Sequence, residues 1–575
     1  MSKAKKLQQY IYKLDSSMLE LKKWDLTLPL EQARKMTGVV VALADSQILS
    51  WINEINGTQD YDLKAREVKR QIKFLKRQPT TQSNKQKISE LYKELYRLQF
   101  REDYLCVVMK NNSHYKRANQ GFSVNGIRYK RLLCTTGGVK TSTVVYASER
   151  ICDELQKRLD NNRNPEIPLV SAKYSAYIAL AASGSNAVSW PRDGNGKIPG
   201  GVIVVKDVIT TFLSDVIDID DSNYPNEPYV ELKKDQEFEN NVSDGCGIMT
   251  VELAKRWNGE LCGDFERPLS GANLRNSYTK GMVFPFEIIR FAEEINGASE
   301  DNPNGYIVTD VWNTPRDVRD ADLILTESQL KLWNCYDSWE DYYNSCIENH
   351  YTFRVAKTAP TYEEMDEVRQ SNYQFIAPET LTQQDIQDLI KPTVDEIKGI
   401  LGEDYRKALV YLCGSNLNND NVMYSDPIAK AIMLEPELIG DGYITSRIRK
   451  MINKRIKDAK ISVLDLRGNF QILSGDLYAL AQSMFGLPVT GLLKAGQIYS
   501  KFWIERGVKE VLCYRAPMSN IFSIVRQQIC YDEKVRDWYR FLESISVVNA
   551  WDTMPAALNG FDFDKFLSPL LVTIE

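Results

Sequence analysis

Two aspartates near the C-terminal end of the sequence have the residue type and spacing of a metal-binding pair. Asp562 and Asp564 lie within residues 558–564, a segment that also contains Asn559 and Gly560. On an extended segment, side chains two residues apart project to the same side. Carboxylate oxygens are the ligands that hard cations such as Mg2+ prefer. The pair therefore predicts a divalent-cation site eleven residues before the final residue, Glu575.

The composition is that of a globular protein. The chain has 575 residues, 43% hydrophobic and 26% charged, which is enough for about three or four domains of ordinary size. It has no apolar run long enough to span a bilayer and no secretory signal, which predicts a cytoplasmic protein without a membrane partner. Ten scattered cysteines without a CxxC pair argue against structural zinc and disulfides. With only His114 and His350 in the chain, histidine-based catalysis has little support.

Charge is distributed unevenly along the chain. Residues 1–150 contain 28 Lys and Arg against 14 Asp and Glu, a net charge of +14, and the remaining residues carry a net charge of −19. A basic region of this kind is typical of a surface that faces a polyanion such as nucleic acid. A solvated helical surface would have the same composition, and the sequence leaves both interpretations open.

Hydrophobic periodicity predicts a helical hairpin and two β-rich regions. Residues 62–104 place apolar side chains at helical spacing, with a polar break at residues 78–83. Strand-like runs occur between residues 165 and 320 and again after residue 461, with helical periodicity between them. The clearest of these runs are residues 201–205, 511–514 and 544–548. No internal repeat is visible, so any duplication of the two regions would be structural.

These patterns predict a fold of the α+β class in four parts. The expected parts are a basic N-terminal region with the helical hairpin and a small β element (1–164), a first β-rich region (165–320), a helical connector (321–460) and a second β-rich region (461–575).

Four segments together resemble one protein superfamily. Their order and spacing are similar to those of the two-barrel RNA polymerases, which include the gene-silencing RNA-dependent enzymes and single-chain bacteriophage enzymes. The resemblance covers roughly residues 115 to 564. The segments are an Asp-Gly-x-Gly sequence beginning at Asp244, an Arg-then-Lys-Gly sequence at residues 274–283, a strand ending in Arg-x-Pro at residues 511–518, and residues 549–564, which lead into the aspartate pair.

The resemblance implies two double-psi β-barrels that face each other, with carboxylates on the second and basic residues on the first. It also implies template-directed joining of ribonucleoside triphosphates by a two-metal mechanism. In that case Asp562 and Asp564 would be catalytic Mg2+ ligands, and Lys280, Arg515 and Arg275 would contact triphosphate or RNA phosphates. The partners would be a nucleic-acid template and its RNA product, in the host cytoplasm if the chain is phage-encoded.

Each of these residues has a structural alternative. An Asp-x-Asp sequence in a loop is most often a solvated turn. Lys280 could be an ordinary exposed lysine beside Gly281, and Arg515 could form a structural ion pair. The surrounding motif favours the catalytic interpretation for the aspartates, and the alternatives stay open for the two cations.

The resemblance fails immediately after Asp564. The family loop continues with Gly and a third Asp, whereas this chain has Lys565 and Phe566 followed by an apolar tail. One fewer carboxylate and one added cation should lower metal affinity. We therefore expect the second barrel to be incomplete. The chain would be the product of a gene interrupted in its catalytic loop, one part of an enzyme completed by a second polypeptide, or a degenerate remnant, and the abrupt loss of similarity favours interruption.

Two other functions compete with polymerisation. The chain could be a catalytically inactive nucleic-acid-binding protein that retains the polymerase fold. It could also be an unrelated metal-dependent phosphohydrolase, although that function would leave the motifs around Lys280 and Arg515 unexplained.

Overall fold

The chain folds into two compact units. The first unit comprises Met1–Lys206 and Gly245–Thr358, and the second comprises Asp207–Asp244 and Ala359–Glu575. Both units contain strands and helices, which confirms the α+β class. The computed structural model describes residues 7–223, 225–375, 382–401, 405–413, 427–516, 518, 523–558, 560, 563 and 570–573. None of the helices in these ranges combines the length and apolar character needed to cross a bilayer.

The first unit begins with a seven-stranded sheet in the order β2-β5-β6-β7-β4-β1-β3. Its strands are β1 (Gln9–Asp15), β2 (Asp25–Leu26), β3 (Val40–Leu43), β4 (Phe100–Val108), β5 (Phe122–Val124), β6 (Ile127–Leu133) and β7 (Thr143–Ser148). The helices of this unit are α1 (Ser16–Leu21), α2 (Leu30–Ala33), α3 (Gln47–Ile55), α4 (Tyr61–Leu75), α5 (Gln82–Gln99), α6 (Asn112–Ala118), α7 (Thr136–Lys140), α8 (Glu149–Asp160), α9 (Ser171–Ile178), α10 (Val251–Cys262), α11 (Ile288–Glu294) and α12 (Trp339–Glu348).

The predicted helical hairpin is present as α4 and α5. Ala65, Val68 and Ile72 of α4 pack with Leu95 of α5 in a small core of their own. The side chain of Thr81 accepts a hydrogen bond from the backbone N–H of Asn84 at 3.1 Å, which caps α5 directly after the polar break. Because the apolar stripe is used inside the hairpin, its basic side chains remain on the outside.

A second sheet completes the first unit. Its order is β9-β17-β12-β14-β13-β18-β8. The strands are β8 (Asn186–Ala187), β9 (Val202–Val205), β12 (Cys246–Met249), β13 (Ala272–Asn276), β14 (Thr279–Pro285), β17 (Leu323–Thr326) and β18 (Arg354–Thr358), and a separate pair consists of β15 (Ile307–Thr309) and β16 (Pro315–Asp317).

The second unit contains a two-stranded ribbon, a helical cluster and an eight-stranded sheet in the order β21-β25-β22-β24-β23-β26-β20-β19. The ribbon is β10 (Ile209–Asp220) with β11 (Tyr229–Asn241), and the sheet strands are β19 (Val368–Gln370), β20 (Asp465–Phe470), β21 (Ile472–Ser474), β22 (Gln497–Ser500), β23 (Glu510–Tyr514), β24 (Ile524–Ile529), β25 (Ile545–Val548) and β26 (Leu570–Thr573). The described helices are α13 (Gln383–Leu401), α14 (Tyr405–Cys413), α15 (Pro427–Leu434), α16 (Gly442–Ala459), α17 (Leu477–Met484), α18 (Lys501–Ile504), α19 (Glu533–Trp538) and α20 (Met554–Ala557).

Six strands in each unit share one topology. We call β9-β17-β12-β14-β13-β18 sheet I and β21-β25-β22-β24-β23-β26 sheet II. When the strands of each sheet are renumbered along the chain, both orders read 1-5-2-4-3-6. Successive neighbours pair parallel, antiparallel, parallel, antiparallel and antiparallel in sheet I. The same series occurs in sheet II. The duplication is therefore structural and invisible as a sequence repeat.

Two strands of sheet I lie in the range where the sequence predicts a helical connector, residues 321–460. They are β17 and β18, at positions five and six of the sheet. β17 is a run of four buried residues, and so short an apolar run does not distinguish a strand from a buried helical segment. The predicted boundaries at residues 164, 320 and 460 stay predictions.

Candidate functional site

Two of the predicted cationic residues lie opposite each other on a hairpin of sheet I. Arg275 of β13 and Lys280 of β14 are register partners in an antiparallel pair, and both are half-buried. Directly opposed residues project to the same face of a sheet. The hairpin therefore places two positive charges side by side on one face.

The loop of this hairpin is anchored by Tyr278. This residue has a φ of 52°, in the left-handed region that bulky residues rarely adopt. Its buried hydroxyl lies 3.0 Å from the carbonyl oxygen of Leu159 and 2.7 Å from that of Asp160, so it donates at the end of α8. Burial raises the pKa of Tyr278 far above its usual value, so the hydroxyl remains a donor. These contacts fix the position of the hairpin that carries the two cations.

Gln329 joins the Asp-Gly-x-Gly and Lys-Gly segments, and sequence reasoning missed it. Its buried amide N–H group donates to the carbonyl oxygens of Gly245 at 3.2 Å and Met282 at 2.9 Å. Its amide oxygen accepts a hydrogen bond from the backbone N–H of Thr326 at 3.0 Å. A single glutamine in a polar stretch gives no signal of this role, because only the fold places it between three strands.

The side chain of Gln329 also explains why two of the motif positions, 247 and 281, are glycine. A Cβ atom on Gly247 would lie 2.4 Å from the amide oxygen of Gln329 and 2.5 Å from the carbonyl oxygen of Ile324. A Cβ atom on Gly281 would lie 2.4 Å from the amide nitrogen of Gln329. Both positions therefore need glycine for close approach. In the Asp-Gly-x-Gly and Lys-Gly segments, the glycines therefore allow close packing around Gln329, and Lys280 supplies a positive charge.

In the second unit, Arg515 follows β23 and reaches the segment that precedes the aspartate pair. One guanidinium N–H group donates to the carbonyl oxygen of Leu558 at 3.1 Å. Leu558 is buried and directly follows α20. Burial raises the pKa of the Cys513 thiol on the same strand, so Cys513 is not a thiolate nucleophile. The structure thus gives Arg515 a positioning contact with the loop.

Asp552 organises the chain between β25 and α20. One carboxylate oxygen accepts hydrogen bonds from the backbone N–H of Gly496 at 3.1 Å and the side-chain amides of Gln527 at 3.0 Å and Asn549 at 2.6 Å. The other oxygen accepts one from the backbone N–H of Met554 at 3.0 Å. Because these bonds occupy the carboxylate, Asp552 is a structural residue. The Asn-x-x-Asp spacing at residues 549–552 is a signal for such a turn that the sequence offered.

Of the aspartate loop itself, Gly560 and Phe563 are described. Phe563 is buried, and its backbone N–H donates to the carbonyl oxygen of Asp244 at 2.9 Å. The predicted metal ligands Asp562 and Asp564, and the departing residues Lys565 and Phe566, lie outside the described residues. Among the residues that are described, no group of three or more His, Cys, Asp or Glu side chains is arranged to hold a metal ion.

Comparison with known proteins confirms the resemblance of the chain to RNA polymerases. The DNA-directed RNA polymerase YonO of Bacillus phage SPbeta is 26% identical to the chain over 403 residues. The similar region covers 67% of this chain and 42% of YonO. No family model matches the chain.

A solved structure is also similar to the chain. The RNA-dependent RNA polymerase QDE-1 from Thielavia terrestris matches with a TM-score of 0.46 and 13% sequence identity. The match covers 82% of this chain and 49% of the QDE-1 chain. The chain thus spans less than half the length of each of these two relatives.

Proposed function

We propose that the protein is a template-directed RNA polymerase, or a portion of one, that joins ribonucleoside triphosphates. The observation that carries this proposal is the repeated 1-5-2-4-3-6 topology, with a cation pair on sheet I and the Asp-x-Asp segment between the last two strands of sheet II. We further propose that each sheet is a double-psi β-barrel. Similarity to a phage RNA polymerase over two thirds of the chain supports the proposal.

The described side chains would have distinct tasks. Arg275 and Lys280 would bind phosphate oxygens, because two opposed cations on one face attract a polyanionic group and neutralise charge that develops on it. Arg515 and Asp552 would position the aspartate segment through the contacts to Leu558 and Met554.

Asp562 and Asp564 would hold the divalent cations, since carboxylates are suitable ligands for Mg2+. When bound, Mg2+ would activate the RNA 3′-hydroxyl and stabilise the leaving pyrophosphate. A third carboxylate is absent at the expected position, where Phe566 stands after Lys565. This observation favours the second candidate function, a nucleic-acid-binding protein without catalysis. If the protein does polymerise, we propose that a second polypeptide supplies the third carboxylate.

Nucleotide incorporation separates the two functions. Purified protein would be given labelled ribonucleoside triphosphates and Mg2+ with DNA or RNA templates, and DNA is tried first because YonO is named as DNA-directed. A parallel reaction would include a supplied polypeptide that carries the Gly-Asp continuation. Template-dependent incorporation in either reaction supports the polymerase. Template binding without incorporation in both reactions supports the binding protein, and phosphoester hydrolysis without a template contradicts both.

The basic hairpin offers a template contact that is independent of catalysis. Lys69, Lys73 and Arg77 are exposed and four residues apart on α4 and its C-terminal extension, and within the described part of the chain they form no ion pair. Changing all three to Gln should lower the dependence of log affinity on log salt by about 2 to 3, because each lost phosphate contact removes about 0.7 to 0.9.

A matched control is available on the same helix. Lys64 and Arg70 are equally basic but pair with Asp60 at 2.8 Å and Glu67 at 3.0 Å. The Lys64→Gln/Arg70→Gln variant should change the salt slope by less than the triple variant. Equal slopes for the wild-type and triple-variant proteins, measured by fluorescence anisotropy with labelled template, would show that this face does not bind nucleic acid.

A further inference from the structure

The ribbon of β10 and β11 exposes an apolar face. Alternate residues along β10 project to one side, and their cross-strand partners include Leu232 opposite Ile217 and Val230 opposite Ile219. Six apolar side chains are 48–66% exposed on this side, which they share with Glu237 and Glu239. We call them the apolar ribbon face: Ile209, Leu213, Ile217, Ile219, Val230 and Leu232.

An isolated two-stranded ribbon is marginally stable in water, and exposed contiguous apolar side chains usually mark a binding surface. The opposite side of this ribbon carries an ion pair between Asp218 and Lys233 and the stacked rings of Phe212 and Phe238. Residues 209–241 contain nine Asp and Glu but only two Lys. The surface therefore combines an apolar strip with strongly negative surroundings.

The base of the ribbon and the turn after it contact the chain before the aspartate pair and at the residue between the two aspartates. The Thr210 hydroxyl donates to the carbonyl oxygen of Ala550 at 2.8 Å, and the side-chain amide of Asn240 donates to that of Asp552 at 3.3 Å. Three residues after β11, the carbonyl oxygen of Asp244 accepts from the N–H of Phe563 at 2.9 Å. Hydrogen bonds therefore link the ribbon and the turn after it to the backbone before and after Asp562.

We propose that the apolar ribbon face is the docking surface of a second protein, whose contact patch is apolar and bordered by Lys and Arg, and that docking stabilises the aspartate segment. The apolar strip supplies the buried area, and the acidic residues around it select a basic rim. The link to catalysis rests on the proposed function, whereas docking does not.

The ribbon charge disfavours the other occupants. Phosphates of a nucleic acid would be repelled by the nine carboxylates. The ribbon of a second copy would carry the same negative charge, so face-to-face self-association would bring like charges together. A protein with a basic rim relieves this repulsion as it covers the apolar side chains.

Docking is testable with a simple probe, a fluorescent amphipathic helical peptide of leucine and lysine. We expect it to bind the full chain, and to bind the Ile217→Thr/Leu232→Thr variant at least tenfold more weakly, because threonine suits a strand but removes most of the apolar surface. The control Tyr229→Thr removes an exposed apolar side chain from the other side of the ribbon and should change affinity less than twofold.

Three outcomes would overturn docking of a basic partner. They are equal binding of a leucine–glutamate peptide, tighter binding of single-stranded RNA that is lost in the double variant, and a concentration-dependent dimer that only the double variant abolishes. Hydrogen exchange of the peptide segment 549–563 tests the coupling, since it should slow when the leucine–lysine peptide is bound to wild-type protein. Unchanged exchange at saturation would overturn the coupling. Neither readout depends on nucleotide incorporation, so failure of the proposed function would leave both intact.

Discussion

Sheet I and sheet II share a strand order and a series of pairing directions, yet two of their connections differ in kind. Between strands one and two, sheet I has the ribbon of β10 and β11, whereas sheet II has the helix α17. Between strands five and six, sheet I has Gln329 and the helix α12, whereas sheet II has the Asp552 turn and the aspartate segment. The strands carry the topology, and the connections carry the chemical differences.

The two sheets also hold their candidate functional residues in position in different ways. In sheet I the amide of Gln329 ties strands together from within, and the cations project from the strands themselves. In sheet II the carboxylate of Asp552 ties a loop together, and the reactive residues follow that loop. Changes in sheet I should therefore affect folding first, and changes in the loop of sheet II should affect activity as well.

The largest expected effect is on activity. Asp564→Ala should lower Mg2+-dependent incorporation by more than about 100-fold, because loss of a metal ligand exceeds the ~10–100-fold effect of losing an outer-shell partner. Single-turnover incorporation measures this. Asp537→Ala, which removes an exposed carboxylate of α19, is the control and should retain wild-type rates. Equal losses in the two variants would show that Asp564 has no special role.

Asp552→Ala should destabilise the second unit by about 3 kcal/mol, because it leaves several buried donors without their acceptor. Denaturant unfolding followed by hydrogen exchange would measure the loss and locate it. Asp388→Ala removes an exposed carboxylate of α13 in the same unit and should change stability by less than about 0.5 kcal/mol. Destabilisation confined to the first unit would contradict the assigned role.

Gly247→Ala should destabilise the first unit by about 2 kcal/mol, since the new methyl group overlaps the Ile324 carbonyl oxygen and the Gln329 amide. Gly137→Ala is the matched control, because a Cβ atom on Gly137 has no neighbour within 4 Å. That change lies in the helix α7 and should be neutral or slightly stabilising. Thermal unfolding of both variants tests the difference, and equal melting temperatures would contradict the need for glycine at residue 247.

The smallest effect is expected for Arg515→Lys, at about tenfold in incorporation, or about 1.4 kcal/mol. Lysine keeps the charge but lacks the planar fork that reaches the Leu558 carbonyl oxygen. Hydrogen exchange in α20 should rise in parallel. Arg526→Lys alters an exposed pair with Glu510 and is the control. A rate loss without faster exchange would mean that Arg515 contacts substrate phosphate directly.

The sequence predicted those strands and helices that can be recognised from the residues within the segment itself. The strand-like runs at residues 201–205, 511–514 and 544–548 are strands β9, β23 and β25, and the helical hairpin has its break where polar residues occur. The left-handed Asn161 that ends α8 is likewise explained by its own residue type.

What the sequence left open depends on contacts between distant segments. β17 and β18 are short, and β26 lies within residues 567–575, which the sequence suggests only as an apolar tail. Their pairing with strands of their own sheets decides their conformation. The roles of Gln329 and Asp552 follow from the same long-range contacts. Asp562 and Asp564 remain sequence predictions, as does the role of Lys280.

The hydrogen bonds of the Gln329 amide restrict which changes of length β14 can accept during evolution. It accepts from the backbone N–H of Thr326 and donates to the carbonyl oxygens of Gly245 and Met282, so it acts as a substitute peptide group inserted among the strands of sheet I. A one-residue insertion in β14 between Thr279 and Lys280 would remove Met282 from this group and turn the side chains beyond the insertion to the opposite face. Arg275 would then lose its opposed cation at Lys280. Sheet I should tolerate substitutions at many positions but reject changes of length in this strand.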